Sequence, residues 1–491
     1  MAEDFDLVRK LSPDDLNISR FRLSSVSPDE GKYASSTDAL RPYLSAEAEW
    51  RKCAEVQLAL IETRAEFEQA KRKNVEEVRE ALKKINPLNM SLLEAKVTKH
   101  DQLAVIEEIG RFVSLETKAL LHPGTTSYDI LDTARAVLFK QAWKNVIRPE
   151  ASKAIIKLCE LAERSIDILQ VGRTHLQDTS PVLFGGTLAG YAGRMAERTA
   201  RCDSYFKALK GKASGIVGTG AGIEMVVGEG KSIMFEKAFL NKLKLKPDYT
   251  ATQVVQKESL ADVGHGIVTF AHVLGDFTND MRMLYSSAIG EVTSRDNAER
   301  LGGSSADAMK NNPIDFENMT GKVDVIESGM RVLYGMIATD FQRDLRGSVK
   351  GRYQPHAMMA QFYESLKRLN KSLGQLSINE DRILQNLQGY RDNPSEAMVA
   401  ILRGAQWIHP IYGEGHNFVK EIGKESKSTK RKLLEVAQED TPFMELYETL
   451  SPLKQEILQG HIEKYTGSAK KRAFINIEYA NSIAASNLQQ Q

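Results

Sequence analysis

Residues 260–284 have the sequence LADVGHGIVTFAHVLGDFTNDMRML, and the spacing of their apolar side chains decides the fold. Apolar residues recur at alternating intervals of three and four, which is the heptad pattern of a helix that buries one face along its length. A helix of about 25 residues is roughly 37 Å long at 1.5 Å per residue. The segment therefore predicts a helix that runs the length of a bundle and favours packing against like helices. The stripe consists of Leu260, Val263, Ile267, Phe270, Leu274, Phe277, Met281 and Leu284.

Two more apolar stripes predict neighbouring bundle helices, one before residues 260–284 and one after them. Residues 133–167 also have a helical pattern, and Pro149 within them predicts a kink or junction. We therefore predict an all-α fold with a central long-helix bundle. The two stripes are formed by Leu188, Tyr191, Met195, Cys202, Tyr205 and Leu209, and by Ile326, Met330, Leu333, Ile337 and Phe341.

The length of the chain, 491 residues, allows about three domains at roughly 150 residues each. We predict an N-terminal helical domain over residues 1–118, the central bundle over 119–368 and a C-terminal helical domain over 369–491. Residues 46–84 are rich in Ala, Glu, Lys, Arg and Leu and predict one long helix in the first domain.

Composition excludes several classes of function. The 66 Lys and Arg residues balance 65 Asp and Glu residues, so the chain has no polycationic surface for nucleic acid or an anionic membrane. Cys53, Cys159 and Cys202 have no spacing typical of a disulfide framework or a zinc site, which fits a reducing cytoplasm. The first residues lack an apolar signal-peptide core, and no run of about 18 apolar residues predicts a membrane span.

The segment 302–318, GGSSADAMKNNPIDFEN, concentrates residues suited to chemistry. Its glycines free the backbone, its serines and Lys310 supply reactive groups, and Asn312 with Pro313 has turn chemistry. We interpret it as a loop that can close over a ligand, while an ordinary Gly/Ser/Asn linker remains the alternative.

Six further segments combine turn or helix-start residues with polar side chains. Each has an ordinary interpretation as a surface turn, a capped helix start or a solvated helix end. The hydroxyl-rich turn in 122–134 could equally bind an anion, because hydroxyl groups and free amides at a helix start favour negative charge. Ser348 and Arg352, four positions apart, could face the same way beside another helix start. The glycine-rich stretch 212–222 lacks the ending of a nucleotide-binding P-loop, so we exclude that interpretation. The six segments are SPDEGKY (27–33), KHDQ (99–102), HPGTTSYDILDTA (122–134), VGRTHLQ (171–177), ATQVVQ (251–256) and QRDLRGSVKGR (342–352).

Three of these segments contain a histidine, and two of the histidines, His100 and His175, are predicted in different settings. His100 and Asp101 are predicted within a helical stretch, where a lone histidine is more often a solvated or core residue than a catalyst. His175 is predicted in an irregular stretch beside hydroxyl groups, where an imidazole can exchange protons near neutral pH.

Taken in chain order, these segments resemble the sequence boxes of the adenylosuccinate lyase family, in its bacterial form, within the fumarase/aspartase superfamily. GSSADAMKNNP resembles GSSxMPxKxNP, HPGTTSYDILDTA resembles HxGxTSxDxxDTA, RTHLQ resembles RTHxQ and QRDLRGSVKGR resembles QRDLxxSxxxR. The resemblance extends from Lys32 to about Lys424. The sequence departs from the family pattern in three places. In the first box, Asp-Ala-Met at 307–309 replaces Met, Pro and often His, and in the RTHxQ box Leu176 replaces Gly. Lys32 replaces Arg and keeps the positive charge but loses the bidentate fork of a guanidinium.

The resemblance implies a fumarase/aspartase-like three-domain fold and a lyase that uses no cofactor and no metal. The implied reaction is a β-elimination that splits a C–N bond, with adenylosuccinate as the first substrate and SAICAR as the second, both releasing fumarate. It also implies a nucleotide as small-molecule partner and a homotetramer with active sites shared between chains. Composition, as above, predicts no nucleic acid or membrane partner and a cytoplasmic location.

The resemblance also implies residue roles, and the chemistry explains why these residue types are needed. Ser305 is the expected base, because positive charge and loop amides can favour its alkoxide, and His175 is the expected acid. Pre-placed donors must stabilise the enediolate-like intermediate. The expected substrate-binding residues are Lys32, Tyr33, His100, Asp101, His122, Thr126, Ser127, Thr174, Gln253, Lys310, Asn312, Arg343, Ser348 and Arg352.

Several alternatives stay open at the level of the sequence. The three histidines could exchange roles, and Ser304 could replace Ser305 as the base. The substrate could be argininosuccinate or another N-substituted succinate. From a different class, the chain could be a helical assembly protein that has lost turnover, and the altered residues 307–309 are the feature that favours this alternative.

Overall fold

The computed structural model describes residue 8 and residues 11–294, 306–307 and 310–488, and it is predominantly helical. The N-terminal part contains eight helices within the described residues, together with a 3-10 turn at Asp38–Leu40 and a π-helical turn at Glu94–Thr98. These helices are α1 Pro13–Ser24, α2 Ala34–Thr37, α3 Arg41–Leu44, α4 Ala46–Glu66, α5 Arg72–Leu82, α6 Pro87–Leu93, α7 Asp101–Gly110 and α8 Leu115–Ala119.

Two sequence predictions in this part are wrong. The single helix predicted over residues 46–84 is divided into α4 and α5, because the chain turns at Glu68, which has a φ of 61°. His100 lies outside regular helix, since the π-helical turn ends at Lys99 with a φ of 54° and His100 is the N-cap of α7.

The central part contains the predicted long helices. Its described elements are α9 Ser127–Ala142, a π-helical turn Trp143–Ile147, α10 Arg148–Arg164, β1 Leu169–Thr174, β2 Gln177–Leu183, α11 Phe184–Ala208, α12 Ala221–Val227, α13 Ser232–Lys242, α14 Glu258–Leu284, β3 Val292–Ser294, α15 Ile314–Tyr334 and α16 Arg346–Gln375. Pro149 lies in the first turn of α10, where a missing N–H costs no hydrogen bond, so the predicted junction is confirmed.

The heptad stripe of α14 forms the centre of the bundle. Its six inner positions are buried, and α14 packs against α11, α15 and α16 of the same chain. Phe270, for example, meets Phe362 of α16 edge-on, with ring centroids 5.0 Å apart. Each such buried side chain contributes about 1.5–3 kcal/mol of transfer free energy.

The second predicted stripe is shorter than expected. Ile326, Met330 and Leu333 are buried on α15, but this helix ends at Tyr334. Ile337 and Phe341 therefore lie beyond the helix, and Phe341 is 92% exposed.

The C-terminal part has a hydrophobic core of its own between Ala397 and Leu458. Its last helix, α23, returns to pack against α10 and α11 of the bundle. No helix in the described ranges is long and apolar enough to cross a membrane. The elements are β4 Leu376–Ile378, α17 Glu380–Asp392, α18 Ser395–Gly404, β5 Ile408–His409, β6 Gly413–Glu414, α19 Gly415–Thr429, α20 Leu433–Ala437, α21 Thr441–Thr449, α22 Pro452–Leu458, a 3-10 turn Ile462–Lys464 and α23 Ala469–Leu488.

The strands form small two-stranded sheets that position loops. β1 and β2 are an antiparallel hairpin, in which Thr174 pairs with Gln177. β3 pairs with β4 and thereby ties the end of the segment after α14 to the end of α16.

Candidate active site

A polar cluster lies where the loop after α15 enters α16. The Arg343 guanidinium donates to Gln253 Oε1 at 2.7 Å and to Ser348 Oγ at 3.1 Å, and its Cζ stands 4.0 Å from the centroid of the Tyr128 ring. Ser348 Oγ also shares a hydrogen bond of 2.5 Å with the Tyr128 hydroxyl. The structure thus brings three predicted substrate-binding residues together, and Tyr128 is a member that the sequence did not single out.

Arg352 extends this cluster by one turn of α16. Its Nη2 lies 3.7 Å from Asp101 Oδ2, and its side chain is 58% exposed. His100, next to Asp101, caps α7 by accepting a hydrogen bond from the Leu103 amide at 3.4 Å. The predicted His-Asp pair and the predicted phosphate-binding arginine are therefore neighbours.

The loop from His122 to Thr125 is held by tight backbone packing. His122 has a φ of 75°, and a Cβ on Gly124 would lie 2.5 Å from the Gly222 carbonyl oxygen. The Gln57 side-chain amide lies 3.4 Å from His122 Nδ1. Burial lowers the pKa of His122, so the neutral imidazole is favoured near neutral pH.

A buried carboxylate fixes the start of α9, where Thr126 is the N-cap. Asp129 accepts hydrogen bonds from the Thr126 amide at 2.7 Å and from the Ser214 and Gly215 amides at 3.1 and 3.2 Å. It also forms an ion pair with Lys212, and both side chains are fully buried. The glycine-rich stretch 212–222 thus supports the Thr126-Ser127 turn. Sequence reasoning missed this role for Asp129, although its spacing from Thr126 matches a capping box.

His175 lies at the tip of the β1–β2 hairpin. His175 and Leu176 have φ values of 55° and 60°, which is the conformation of a type I′ hairpin turn. Thr174, His175 and Leu176 are all exposed. The irregular segment predicted here is a strand pair instead, because residues 169–174 and 177–183 exchange backbone hydrogen bonds.

The remaining predicted residues do not join the Arg343 cluster within the described part of the chain. The Tyr33 ring lies against Lys322, whose Nζ is 4.2 Å from the ring centroid, and its hydroxyl accepts from Asn318 at 3.4 Å. Lys32 and Lys310 are exposed. Asn312 lines a separate small pocket with Thr293 and Ser372, among others, while Ser304 and Ser305 lie outside the described residues.

Residues 33–327 match the family model described as Lyase. The adenylosuccinate lyase of Pyrococcus horikoshii is 30% identical to this chain over 388 residues, which are 78% of this chain and 82% of the relative. This chain belongs to the adenylosuccinate lyase family of the fumarase/aspartase superfamily.

Another relative agrees with this membership, and solved structures share the fold. The adenylosuccinate lyase of Archaeoglobus fulgidus is 24% identical over 465 residues, covering 93% of this lyase and 99% of the relative. The fumarate lyase of Mesorhizobium sp. BNC1 shares the fold with a TM-score of 0.76 at 20% identity, covering 90% of this chain and 97% of the other. The 3-carboxy-cis,cis-muconate lactonizing enzyme of Pseudomonas putida also has a TM-score of 0.76 at 20% identity, with 91% and 97% covered.

The family, the all-α fumarase-like fold and the enzyme class predicted from the sequence are thus confirmed. This lyase is an enzyme of the fumarate-releasing C–N lyase type. Among the described residues, no group of three or more His, Cys, Asp or Glu side chains has an arrangement that could hold a metal ion.

Proposed function

We propose that this lyase cleaves adenylosuccinate to AMP and fumarate, and SAICAR to AICAR and fumarate. The observation that carries the proposal is the grouping of Arg343, Ser348 and Gln253 at the start of α16. A guanidinium fork beside a helix N-terminus suits a phosphate monoester, because both supply N–H donors and positive potential. Argininosuccinate has no phosphate group, so this cluster favours a nucleotide.

Arg352 completes the phosphate site in this proposal. It lies one turn after Ser348 on α16, and its large exposed fraction leaves N–H groups for a ligand. Lys32 and Tyr33 would add a cation and a hydroxyl from a neighbouring chain, since in one chain Tyr33 packs at Asn318 and Lys322 instead.

The proposed reaction needs one base and one acid. The base removes the proton from the carbon β to nitrogen, and the electron pair of that C–H bond forms the double bond of fumarate. The C–N bond breaks, and the nitrogen keeps its electron pair and takes a proton from the acid. We assign the base to Ser305 and the acid to His175, because the two boxes supply a hydroxyl near Lys310 and an exposed imidazole.

The negative charge that develops on the succinyl carboxylates also needs fixed donors. Thr126 and Ser127 at the start of α9 are suited to this role, because Asp129, which is paired with Lys212, accepts a hydrogen bond from the Thr126 amide and fixes their turn. Lys310 and Asn312 would add a cation and an amide. His100, Asp101, His122 and Thr174 would position the rest of the substrate.

The active site is assembled between chains of a homotetramer in this proposal. Its support is that, in the described part of one chain, His175 lies at an exposed hairpin tip and hydrogen-bonds none of the other predicted site residues. A mixing experiment tests this. Ser305→Ala and His175→Ala proteins, dissociated together and reassociated, should regain activity well above either parent. If subunit exchange is confirmed by mass tagging and no activity returns, both residues act from one chain.

The substrate is tested by following the ultraviolet change when the purified protein is mixed with adenylosuccinate, SAICAR or argininosuccinate. Turnover of the two nucleotides alone supports the proposal. Turnover of argininosuccinate alone would contradict it, and binding of AMP without turnover of any substrate would indicate an assembly protein that has lost catalysis. Ser304→Ala and Ser305→Ala then identify the base, since loss of the base should lower kcat about 10²-fold to 10⁴-fold.

A further inference from the structure

A buried carboxylate lies at the base of the hairpin that carries His175. Glu291 has a fully buried side chain and accepts two hydrogen bonds from the Arg173 guanidinium, at 2.6 and 3.1 Å. It also accepts from Gln170 Nε2 at 2.5 Å and from Asn386 Nδ2 at 2.7 Å. A carboxylate offers about four acceptor positions, so the Glu291 side chain is fully satisfied.

The groups around Glu291 come from three different parts of the fold. Gln170 and Arg173 belong to β1, and Asn386 belongs to α17. The Glu291 amide donates to the Leu284 carbonyl at the end of α14, at 2.9 Å. Glu291 directly precedes β3, so one side chain connects the hairpin, α17 and the entry to β3.

Arg173 links Glu291 to the part of the hairpin near its tip. It lies two residues before His175, and its Nε donates across the hairpin to Asp178 Oδ1 at 3.1 Å. The two strands approach each other closely at Gly172, because a Cβ there would lie 2.4 Å from the Ser180 carbonyl oxygen. The Arg173 guanidinium, whose side chain is 16% exposed, thus links the buried Glu291 carboxylate to the strand end that carries the exposed imidazole.

We propose that Glu291 is a positioning residue for the lyase reaction. Through Arg173 it holds the His175 hairpin in a fixed position relative to β3 and α17 of its own chain, and thereby fixes where this chain presents the imidazole. This proposal rests on the proposed function, which assigns proton transfer to His175 and Ser305. Its physical reason is that a displacement of about 1 Å at a reacting group can lower a rate about 10²-fold.

The test uses a matched pair of substitutions. Glu291→Gln keeps the size of the side chain but replaces one acceptor oxygen with an NH₂ group that faces the Arg173 and amide donors. Glu108→Gln is the control, because Glu108 is equally buried and accepts from Arg111 at 2.7 Å, from the Asn86 amide at 2.9 Å and from the Asn89 side chain.

The two variants should lose thermal stability to a similar degree but differ in turnover. We expect Glu291→Gln to lower kcat about 10-fold to 100-fold with KM changed less than about threefold, because the displaced group acts in the chemical step. Glu108→Gln should keep kcat within about twofold. Glu291→Asp, which keeps the charge, should restore part of the lost kcat. Equal loss of kcat in the two Gln variants, or none in Glu291→Gln, would overturn the proposal.

A double-mutant cycle shows whether Glu291 acts through His175. If it does, adding Glu291→Gln to His175→Ala should lower kcat little further, because interacting residues are not additive. Full additivity would overturn the proposed route through the hairpin.

Hydrogen exchange of residues 169–183, measured without substrate, should be faster in Glu291→Gln and unchanged in Glu108→Gln. Unchanged exchange in Glu291→Gln would overturn the proposal even in an active enzyme. An unmodified protein that releases no fumarate, with exchange as expected, would instead identify a failure of the proposed function.

Discussion

Arg343→Ala is expected to weaken the binding of AMP much more than the binding of adenosine. In the structure the guanidinium uses two N–H groups on Gln253 and Ser348 and stacks on Tyr128. An arginine has five N–H groups, and because the one on Nε is buried here, about two remain for a ligand. A hydrogen bond to a charged group contributes about 1.5–3 kcal/mol, so loss of one bond to phosphate should lower AMP affinity about 10-fold to 150-fold.

The control for this prediction is Arg346→Ala. Arg346 lies three residues further on, is 61% exposed and binds Asp344 at 2.7 Å and Asp340 at 2.8 Å. Its removal deletes the same charge from the same segment but leaves the cluster intact. Calorimetric titration of both variants with AMP and adenosine separates the effects. Equal weakening of AMP by the two variants would mean that only the long-range charge matters, and equal weakening of AMP and adenosine by Arg343→Ala would refute a phosphate contact.

Three further predictions concern stability. Asp129→Asn leaves the buried ammonium of Lys212 unpaired, which should lower the free energy of unfolding by about 3–5 kcal/mol and lower the urea midpoint. Adding Lys212→Met should recover part of this loss, and no recovery would show that the unpaired ammonium is not its cause. Burial lowers the pKa of His356 to about 4, so the unfolded chain gains this proton as pH falls below 6.5 while the folded chain does not. The free energy of unfolding should therefore fall by up to about 3 kcal/mol between pH 6.5 and 4. In His356→Phe, whose ring can still pack on Phe139, the urea midpoint should depend less on pH over this range. Gly124→Ala should lower the melting temperature, because its Cβ would meet the Gly222 carbonyl at 2.5 Å; an unchanged value would show that the loop can shift.

The parts of the fold that rest on local periodicity could be predicted from the sequence. The heptad stripe predicted a helix over residues 260–284, and α14 spans Glu258–Leu284. The grouping of Arg343 with Ser348 was also predictable, because Ser348 is only five positions after Arg343, where the chain enters α16. In each case the residues that determine the structure lie within one short stretch of the sequence.

The features that sequence reasoning missed depend on distant partners or unusual backbone. Asp129 and Lys212 are 83 residues apart in the sequence, and Arg173 and Glu291 are 118 apart. A pattern within one short segment therefore cannot predict either pair. The His175 hairpin lacks the sequence signature of a type I′ turn, which normally has Asn or Gly at its two central positions, whereas this one has His and Leu. Strain of this kind at a proposed acid is consistent with a position selected for chemistry.

The structure also changes the basis on which assembly between chains is inferred. The sequence suggested that the stripe of α14 packs against like helices of other copies, but this stripe is buried against α11, α15 and α16 of its own chain. The faces of α14 left to solvent carry charged side chains such as Asp262 and Asp276. The apolar stripe of α14 therefore gives no support for a homotetramer. The stronger argument is that one chain leaves His175, Arg352 and Lys310 exposed, whereas a β-elimination needs acid, base and phosphate site around one water-excluded substrate.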